Sequence, residues 1–202
     1  MTRIKLCGLM RPEDIEAANR LTPDYIGFVF AGKSRRRVTQ AQAEELKNRL
    51  SPAVRAVGVF VNEYPETVAG LLNRGIIDLA QLHGDEDEAY LRRLRALTDR
   101  PLLQAFRIAD GEDLRRAEGS SADLILLDAG AGDGAVFDWQ LLRDWRRPYI
   151  LAGGLNPENV REAVRSLHPW GVDVSSGIET DGRKDPDKMA AFVRAVREED
   201  RT

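Results

Sequence analysis

Few side chains can move a proton near neutral pH, and two of them stand at telling positions in this 202-residue chain. Cys7 closes the apolar run Ile4–Leu6 and is followed by Gly8, which lets the chain turn. The thiol is therefore expected to face the opening beyond the run and to be accessible to a ligand. With an ordinary pKa of about 8.5 a thiol is only a few per cent ionised at pH 7, so work as a base requires a nearby cation or a helix N-terminus. The alternative for a lone cysteine is a small buried hydrophobe. Asp128 follows Leu124-Ile125-Leu126-Leu127 directly, so an apolar run ends in a carboxylate. Acting as a general acid, it would need its pKa raised from about 3.9 by burial or a neighbouring negative charge, which a ligand that excludes water supplies. Otherwise it caps a helix or solvates a loop.

Other residues suit the holding of an anion. Lys33-Ser34-Arg35-Arg36-Arg37 is a positive patch on a net acidic chain, and a planar guanidinium grips a carboxylate with two parallel hydrogen bonds; a solvated loop is the plainer reading of such a run. Ala152-Gly153-Gly154-Leu155 and Val174-Ser175-Ser176-Gly177 are turns where glycine permits close backbone approach and N–H groups can cradle a phosphate. Of the two histidines, His83 ends an apolar run, whereas His168 beside Pro169 sits in a connection. One cysteine and no H-x-x-x-H or C-x-x-C spacing leave no metal signature. No G-x-G-x-x-G loop follows the first run, so dinucleotide binding has no support.

The elements that must position these residues are short β-prone runs: Ile4–Leu6, Tyr25–Phe30, Ala56–Val61, Leu79–Leu82, Leu102–Phe106, Leu124–Leu127, Tyr149–Ala152 and Val172–Val174. Between them apolar residues recur at helical spacing, as in Val160, Ala163, Val164 and Leu167, or Met189, Phe192, Val193 and Val196. Asn156-Pro157-Glu158 and Asp185-Pro186 each place a capping side chain before a proline, predicting two helix starts. Strands alternating with helices imply parallel pairing through right-handed crossovers. With eight units in a chain of this length, closure into a single-domain (βα)8 TIM barrel, an α/β fold, is expected over residues 1–202. The polar and glycine-rich segments then gather at the C-terminal ends of the strands, where barrels keep their chemistry, and phosphate sites favour the loops after strands seven and eight.

Charge narrows the partners. Lys and Arg number 30 against 33 Asp and Glu, a formal charge of -3, so no basic field exists to hold nucleic acid or an anionic membrane. No run approaches the roughly 20 apolar residues of a membrane span, and the N-terminus lacks the apolar core of a signal peptide. One cysteine and these features predict a cytoplasmic protein acting on a small molecule. Monomer and homodimer are not distinguished by any readable period.

Taken together, Lys5-Leu6-Cys7-Gly8, Gly27-Phe28-Val29-Phe30, Lys33-Ser34-x-Arg36, Gln81-Leu82-His83-Gly84-Asp85-Glu86, Leu126-Leu127-Asp128, Phe137-Asp138-Trp139, Leu151-Ala152-Gly153-Gly154-Leu155 and Val172-Asp173-Val174-Ser175-Ser176-Gly177 resemble the phosphoribosylanthranilate isomerases of tryptophan biosynthesis. The resemblance runs from Lys5 to about Val196 with every motif in order. It implies a (βα)8 barrel that converts N-(5-phosphoribosyl)anthranilate into 1-(2-carboxyphenylamino)-1-deoxyribulose 5-phosphate by an Amadori rearrangement without a cofactor. It also implies that Asp128 protonates the ribose ring oxygen as general acid and that Cys7 takes the C2 proton as general base. On the same footing, Arg36 would hold the anthranilate carboxylate, Gly153, Gly154, Ser175, Ser176 and Gly177 the phosphate, and Gln81, His83 and Asp173 would line the pocket.

One stretch departs from the pattern. Where such isomerases usually carry Gly-Gly-Thr-Gly or Gly-Ser-Gly before Phe-Asp-Trp, this chain has Ala129-Gly130-Ala131-Gly132-Asp133-Gly134-Ala135-Val136, without the hydroxyl and with an added carboxylate. Ala31-Gly32 also replaces the usual tyrosine-proline before Lys33-Ser34, and Arg35 a proline. Two related phosphosugar barrels are competing readings: the indole-forming synthase, expected to use lysine and glutamate, and the histidine-pathway isomerase, expected to use paired aspartates. Cys7 at the end of the first strand argues against both. A barrel that binds a phosphate ligand without turnover is the third alternative.

Overall fold

In the computed structural model the structure describes residues 1–129, 142 and 145–201. Eight parallel strands, β1 (Arg3–Cys7), β2 (Tyr25–Val29), β3 (Arg55–Phe60), β4 (Leu79–Leu82), β5 (Leu102–Arg107), β6 (Leu124–Asp128), β7 (Tyr149–Ala152) and β8 (Gly171–Val174), pair in chain order. The β1–β8 ladder, with Lys5 opposite Asp173, closes the ring. Seven α-helices lie among the described residues: α1 (Pro12–Leu21), α2 (Gln40–Arg49), α3 (Pro65–Asn73), α4 (Glu88–Arg95), α5 (Gly111–Glu118), α6 (Val160–Leu167) and α7 (Pro186–Glu199). None of them is long and apolar enough to cross a membrane.

Period-two alternation sorts each strand's side chains into two cores. Outward residues such as Ile4, Leu6, Ile26, Phe28, Leu82, Leu127 and Val172 pack beneath the helices. Inward residues such as Val57, Leu79, Leu103, Leu126 and Ile150 fill the barrel. Because both faces are buried, the strands read as continuous apolar runs, and for that reason their positions follow so closely from the sequence. The strand ends differ by a residue or so: Arg107 and Asp128 belong to β5 and β6, while Phe30 and Val61 lie beyond β2 and β3.

The bottom of the ring is tied by three aspartates standing one residue ahead of even-numbered strands. Asp24 accepts from Ile4 N (2.9 Å), Asp78 from Ala56 N (2.7 Å) and Asp123 from Leu102 N (2.7 Å). Each thereby satisfies an N–H at the start of the preceding strand that closure would otherwise strand without a partner. Arg3 and Arg197 on Asp24, Lys47 on Asp78 and Arg95 on Asp123 complete these contacts.

Helix starts obey capping chemistry with one correction. Asp185 caps α7, accepting from Asp187 N and Lys188 N, with Pro186 first in the helix, as expected. Asn156 accepts from Glu158 N and Asn159 N, but the turn it caps is not yet α-helical, and α6 begins at Val160. The expected start at Asn156-Pro157-Glu158 is therefore three residues early. Between β8 and α7 a 3₁₀ turn, Ser176–Ile178, leads into a small hairpin of β9 (Glu179–Thr180) and β10 (Arg183–Lys184).

Candidate active site

Strand β1 delivers two chemically active side chains to the inside of the barrel, since Lys5 and Cys7 are two residues apart. The thiol fits because its β2 neighbour is Gly27, where a Cβ would stand 2.6 Å from Cys7 Sγ. Cys7 is 8% exposed, so the thiol is less open than the glycine after it led one to expect, packing with Val29 and Val59. Burial pushes its pKa up, and the ammonium groups of Lys5 and Lys184 pull the other way. Lys5 is itself 1% exposed and bonds Asp173 Oδ2 at 2.7 Å. Burial works against its charge, but Asp173 and Cys7 outweigh that and hold its pKa above the usual value. Asp173 Oδ1 is buried and has no hydrogen-bond partner among the described residues.

Asp128, at the end of β6, is paired with Arg107 of β5 and Ala152 of β7 across the ladders. Its Oδ2 is 3.5 Å from His83 Nε2, and His83 Nδ1 lies 3.2 Å from Gln81 Nε2. With the glutamine N–H as donor, Nδ1 is the acceptor and Nε2 carries the proton that faces Asp128. Gln81 is 2% exposed and its Oε1 is a second buried acceptor without a partner among the described residues. The three residues expected separately thus form one line from β4 to β6.

On the other side of β1 stands Arg36, its stem over Gly8, where an added Cβ would sit 2.5 Å from Arg36 Cδ. Its guanidinium does not point freely into the mouth. Nε and Nη2 donate to the two carboxylate oxygens of Glu179 at 2.6 and 2.9 Å, so one edge of the expected carboxylate fork is already occupied by the hairpin. Arg35 also reaches Glu179 Oε2 at 2.7 Å, and Lys184 reaches Oε1 at 2.7 Å. Although burial opposes its charge, Arg36 and Lys184 hold the Glu179 pKa down to about 2. Lys184 has its pKa lowered because burial outweighs its pairing with Glu179.

The two glycine-bearing turns meet as expected from their places after β7 and β8. Gly153 and Gly154 have φ of 97° and 67°, the left-handed region that admits glycine readily. At Gly177 a Cβ would stand 2.0 Å from Leu155 O, so the loops press together backbone to backbone. Ser175 Oγ donates to Cys7 O at 3.1 Å, and Lys184 Nζ donates to Ser175 O at 2.8 Å, which joins this turn to the end of β1. Ser176 opens the 3₁₀ turn.

Sequence reasoning missed Lys5, Glu179 and Lys184. Lys5 had a signal, a lysine inside an apolar strand on the face of Cys7. Glu179 and Lys184 had only Asp181-Gly182, a hairpin dipeptide whose φ values are 50° and 75°. Gly130–Val136 and Phe137-Asp138-Trp139 lie outside the described residues. A concavity of about 690 Å³ is bordered by His83, Arg107, Gln104, Arg116 and Ser120 beside α5, and neither Cys7 nor Asp128 lines it. Among the described residues no group of three or more His, Cys, Asp or Glu side chains could hold a metal ion.

A closed parallel barrel with a thiol, a carboxyl and anion-holding groups gathered at the C-terminal ends of its strands defines a (βα)8-barrel enzyme. The profile of N-(5'-phosphoribosyl)anthranilate isomerase matches residues 4–195. The isomerase of that name from Acetivibrio thermocellus is 46% identical over 214 residues, covering 99% of this chain and 98% of its own. The crystal structure of phosphoribosyl anthranilate isomerase from Thermotoga maritima superposes with a TM-score of 0.89 at 36% identity, covering 98% of this chain and 100% of that one. A further crystal structure, of such an isomerase in complex with reduced 1-(o-carboxyphenylamino)-1-deoxyribulose 5-phosphate, has a TM-score of 0.87 at 36% identity and covers 98% of this chain and all of that one. The chain belongs to the N-(5'-phosphoribosyl)anthranilate isomerase family and is an isomerase.

Proposed function

We propose that the protein carries out the Amadori rearrangement of N-(5'-phosphoribosyl)anthranilate in tryptophan biosynthesis, with Asp128 as general acid and Cys7 as general base. The observation that carries the reading is the placement of the two groups on the same rim of the barrel, Asp128 at the end of β6 and Cys7 at the end of β1. Asp128 gives a proton to the furanose ring oxygen; the C1–O bond breaks and the anthranilate nitrogen forms the C1=N⁺ iminium. That electron sink acidifies C2–H. Cys7 then takes the C2 proton, leaving an enolamine that relaxes to the ketoamine. Oxidation at C2 balances reduction at C1, so the reaction needs no external redox partner. Each proton-transfer group is typically worth about 10² to 10⁴ in rate.

The remaining groups anchor the two ends. Arg36 receives the carboxylate, and Gly153, Gly154, Ser175, Ser176 and Gly177 receive the phosphate. The acceptors Asp173 Oδ1 and Gln81 Oε1, without partners among the described residues, are suited to sugar hydroxyls, each of which supplies the donor the acceptor lacks. His83 keeps a proton directed at Asp128 Oδ2, 3.5 Å away. Holding both ends of the substrate fixes C1 and C2 between acid and base. The substrate is a small anionic metabolite, and the cytoplasm is the compartment proposed for it.

The test is the fluorescence decay of freshly generated phosphoribosylanthranilate with the wild-type protein, Cys7→Ala and Asp128→Ala. Decay that is fast in the wild type and lost in both variants supports the assignment. Near-native turnover in either variant refutes its role. Absence of decay with the wild type, while reduced product still binds, would make the barrel a binding protein.

A further inference from the structure

We infer that Glu179 is the positioning residue that sets the enzyme's preference for a carboxylated aromatic substrate, by holding one edge of Arg36 so that only the other edge meets the ligand. The inference rests on the proposed isomerase reading and deepens it at the carboxylate end.

A guanidinium has two edges that can grip a carboxylate, one made by Nε and one Nη, the other by the two terminal nitrogens. In this structure Glu179 takes the first edge with both oxygens, and Nη1 has no partner among the described residues. The side chain is also pinned along its length. Its stem lies on Gly8, where no Cβ intervenes, and its backbone N–H donates to Ser34 Oγ at 3.1 Å. A long side chain with several free rotors is thereby reduced to one orientation before the substrate arrives, which removes an ordering cost from binding.

Glu179 is suited to this because it is not itself free to move. Its side chain is 4% exposed, and Arg35, Arg36 and Lys184 surround it. Three cations on one carboxylate leave the cluster positive, which favours an anion at the exposed edge. Lys184 extends the same cluster to Ser175, whose carbonyl and hydroxyl lie 2.8 and 3.3 Å from Nζ. The carboxylate clamp and the turn assigned to the phosphate are therefore fastened to a common charge at the foot of the hairpin. Ser175 is also bonded to β1, its Oγ donating to Cys7 O at 3.1 Å, so the turn assigned to the phosphate keeps its place on the barrel independently of Glu179.

The experiment compares two reduced analogues, 1-(2-carboxyphenylamino)-1-deoxyribitol 5-phosphate and its phenylamino counterpart without the carboxylate, by calorimetric titration on the wild type and Glu179→Gln, together with kcat and KM. Charge-assisted hydrogen bonds are worth about 1.5–3 kcal/mol, so Glu179→Gln is expected to reduce the affinity ratio of the two analogues roughly ten- to a hundredfold. Affinity for the carboxylate-free analogue stays within about twofold, and KM rises more than kcat falls. A merely structural role for Glu179 would weaken both analogues together, and that result overturns the inference, as does an unchanged ratio. Should Glu179→Gln fold poorly because Lys184 is left unpaired, Glu179→Gln/Lys184→Met removes both charges and is expected to show the same lost ratio. A wild-type protein without isomerase activity and without preference for the carboxylated analogue overturns the functional reading as well; a wild-type protein with both, beside a variant that keeps the preference, overturns this inference alone.

Discussion

Replacing Lys5 by methionine tests the electrostatics of the proposed base most directly. The side chain is fully buried beside Cys7 and within bonding distance of Asp173, and methionine keeps the length while removing the charge. Two unit charges about 4 Å apart interact by about 4 kcal/mol at an effective dielectric of 20. The Asp173 carboxylate opposes the lysine, so about half of that reaches the thiolate, equivalent to a rise of roughly 1–2 pK units in Cys7. The sign is upward because burial raises the thiol and Lys5 is the strongest of the groups that pull it down. Cys7 is the chain's one cysteine, so the pH dependence of alkylation, followed by intact mass, reports on this thiol alone. The alkylation midpoint in Lys5→Met should move to higher pH, and kcat at pH 7 should fall roughly ten- to a hundredfold, with recovery as the pH is raised. Breaking a buried ion pair also destabilises by about 3–5 kcal/mol when the partner stays charged, so both measurements belong well below the variant's melting temperature. A midpoint unmoved or shifted downward, with the fold intact, would show that Lys5 does not govern the thiol.

Three further outcomes follow from the same structure. Gly177→Ala would place a methyl 2.0 Å from Leu155 O, forcing the loops after β7 and β8 apart; a loss of about 1–3 kcal/mol in stability and at least tenfold in competition by inorganic phosphate is expected, and unchanged phosphate competition would remove this turn from the phosphate site. Asp78→Ala leaves Ala56 N without its acceptor at the bottom of the barrel, so chemical denaturation should show about 1–3 kcal/mol lost while kcat and KM stay native; an altered kcat would contradict the separation of the two ends. Glu179, held at about 2 against an ordinary 4.5, contributes stability that is fully present above about pH 4.5 and is lost as the pH falls towards 2. The shift corresponds to about 3 kcal/mol, or about half of that after solvent screening at the rim. The stability difference between wild type and Glu179→Gln should therefore shrink over that window, and a constant difference would refute the assignment.

Much of the site was legible because the fold makes strand ends meaningful. Once eight buried strands alternate with helices, the residues just after each run must gather on one rim, so Cys7, Asp128, His83, Ser175 and the paired glycines could be named without coordinates. Gly27 likewise shows in retrospect why the thiol has room. What was not legible involved residues that meet across large separations in the chain: Arg36 and Glu179 are 143 positions apart, Lys5 and Asp173 168. No local period marks such pairs. The burial of Cys7 was underestimated for a related reason, since it depends on Val29 and Val59 from neighbouring strands, not on the glycine that follows it.

By itself, then, the sequence determined the elements and the rim, because apolar runs buried on both faces, proline-led caps and glycine turns are local consequences of side-chain burial and backbone freedom. Tertiary structure alone decided the electrical state of the site. Charges interact through space rather than along the chain, so only closure of the β1–β8 ladder could set Lys5 against Asp173, and only the return of the hairpin could place Glu179 on the Nε–Nη2 edge of Arg36.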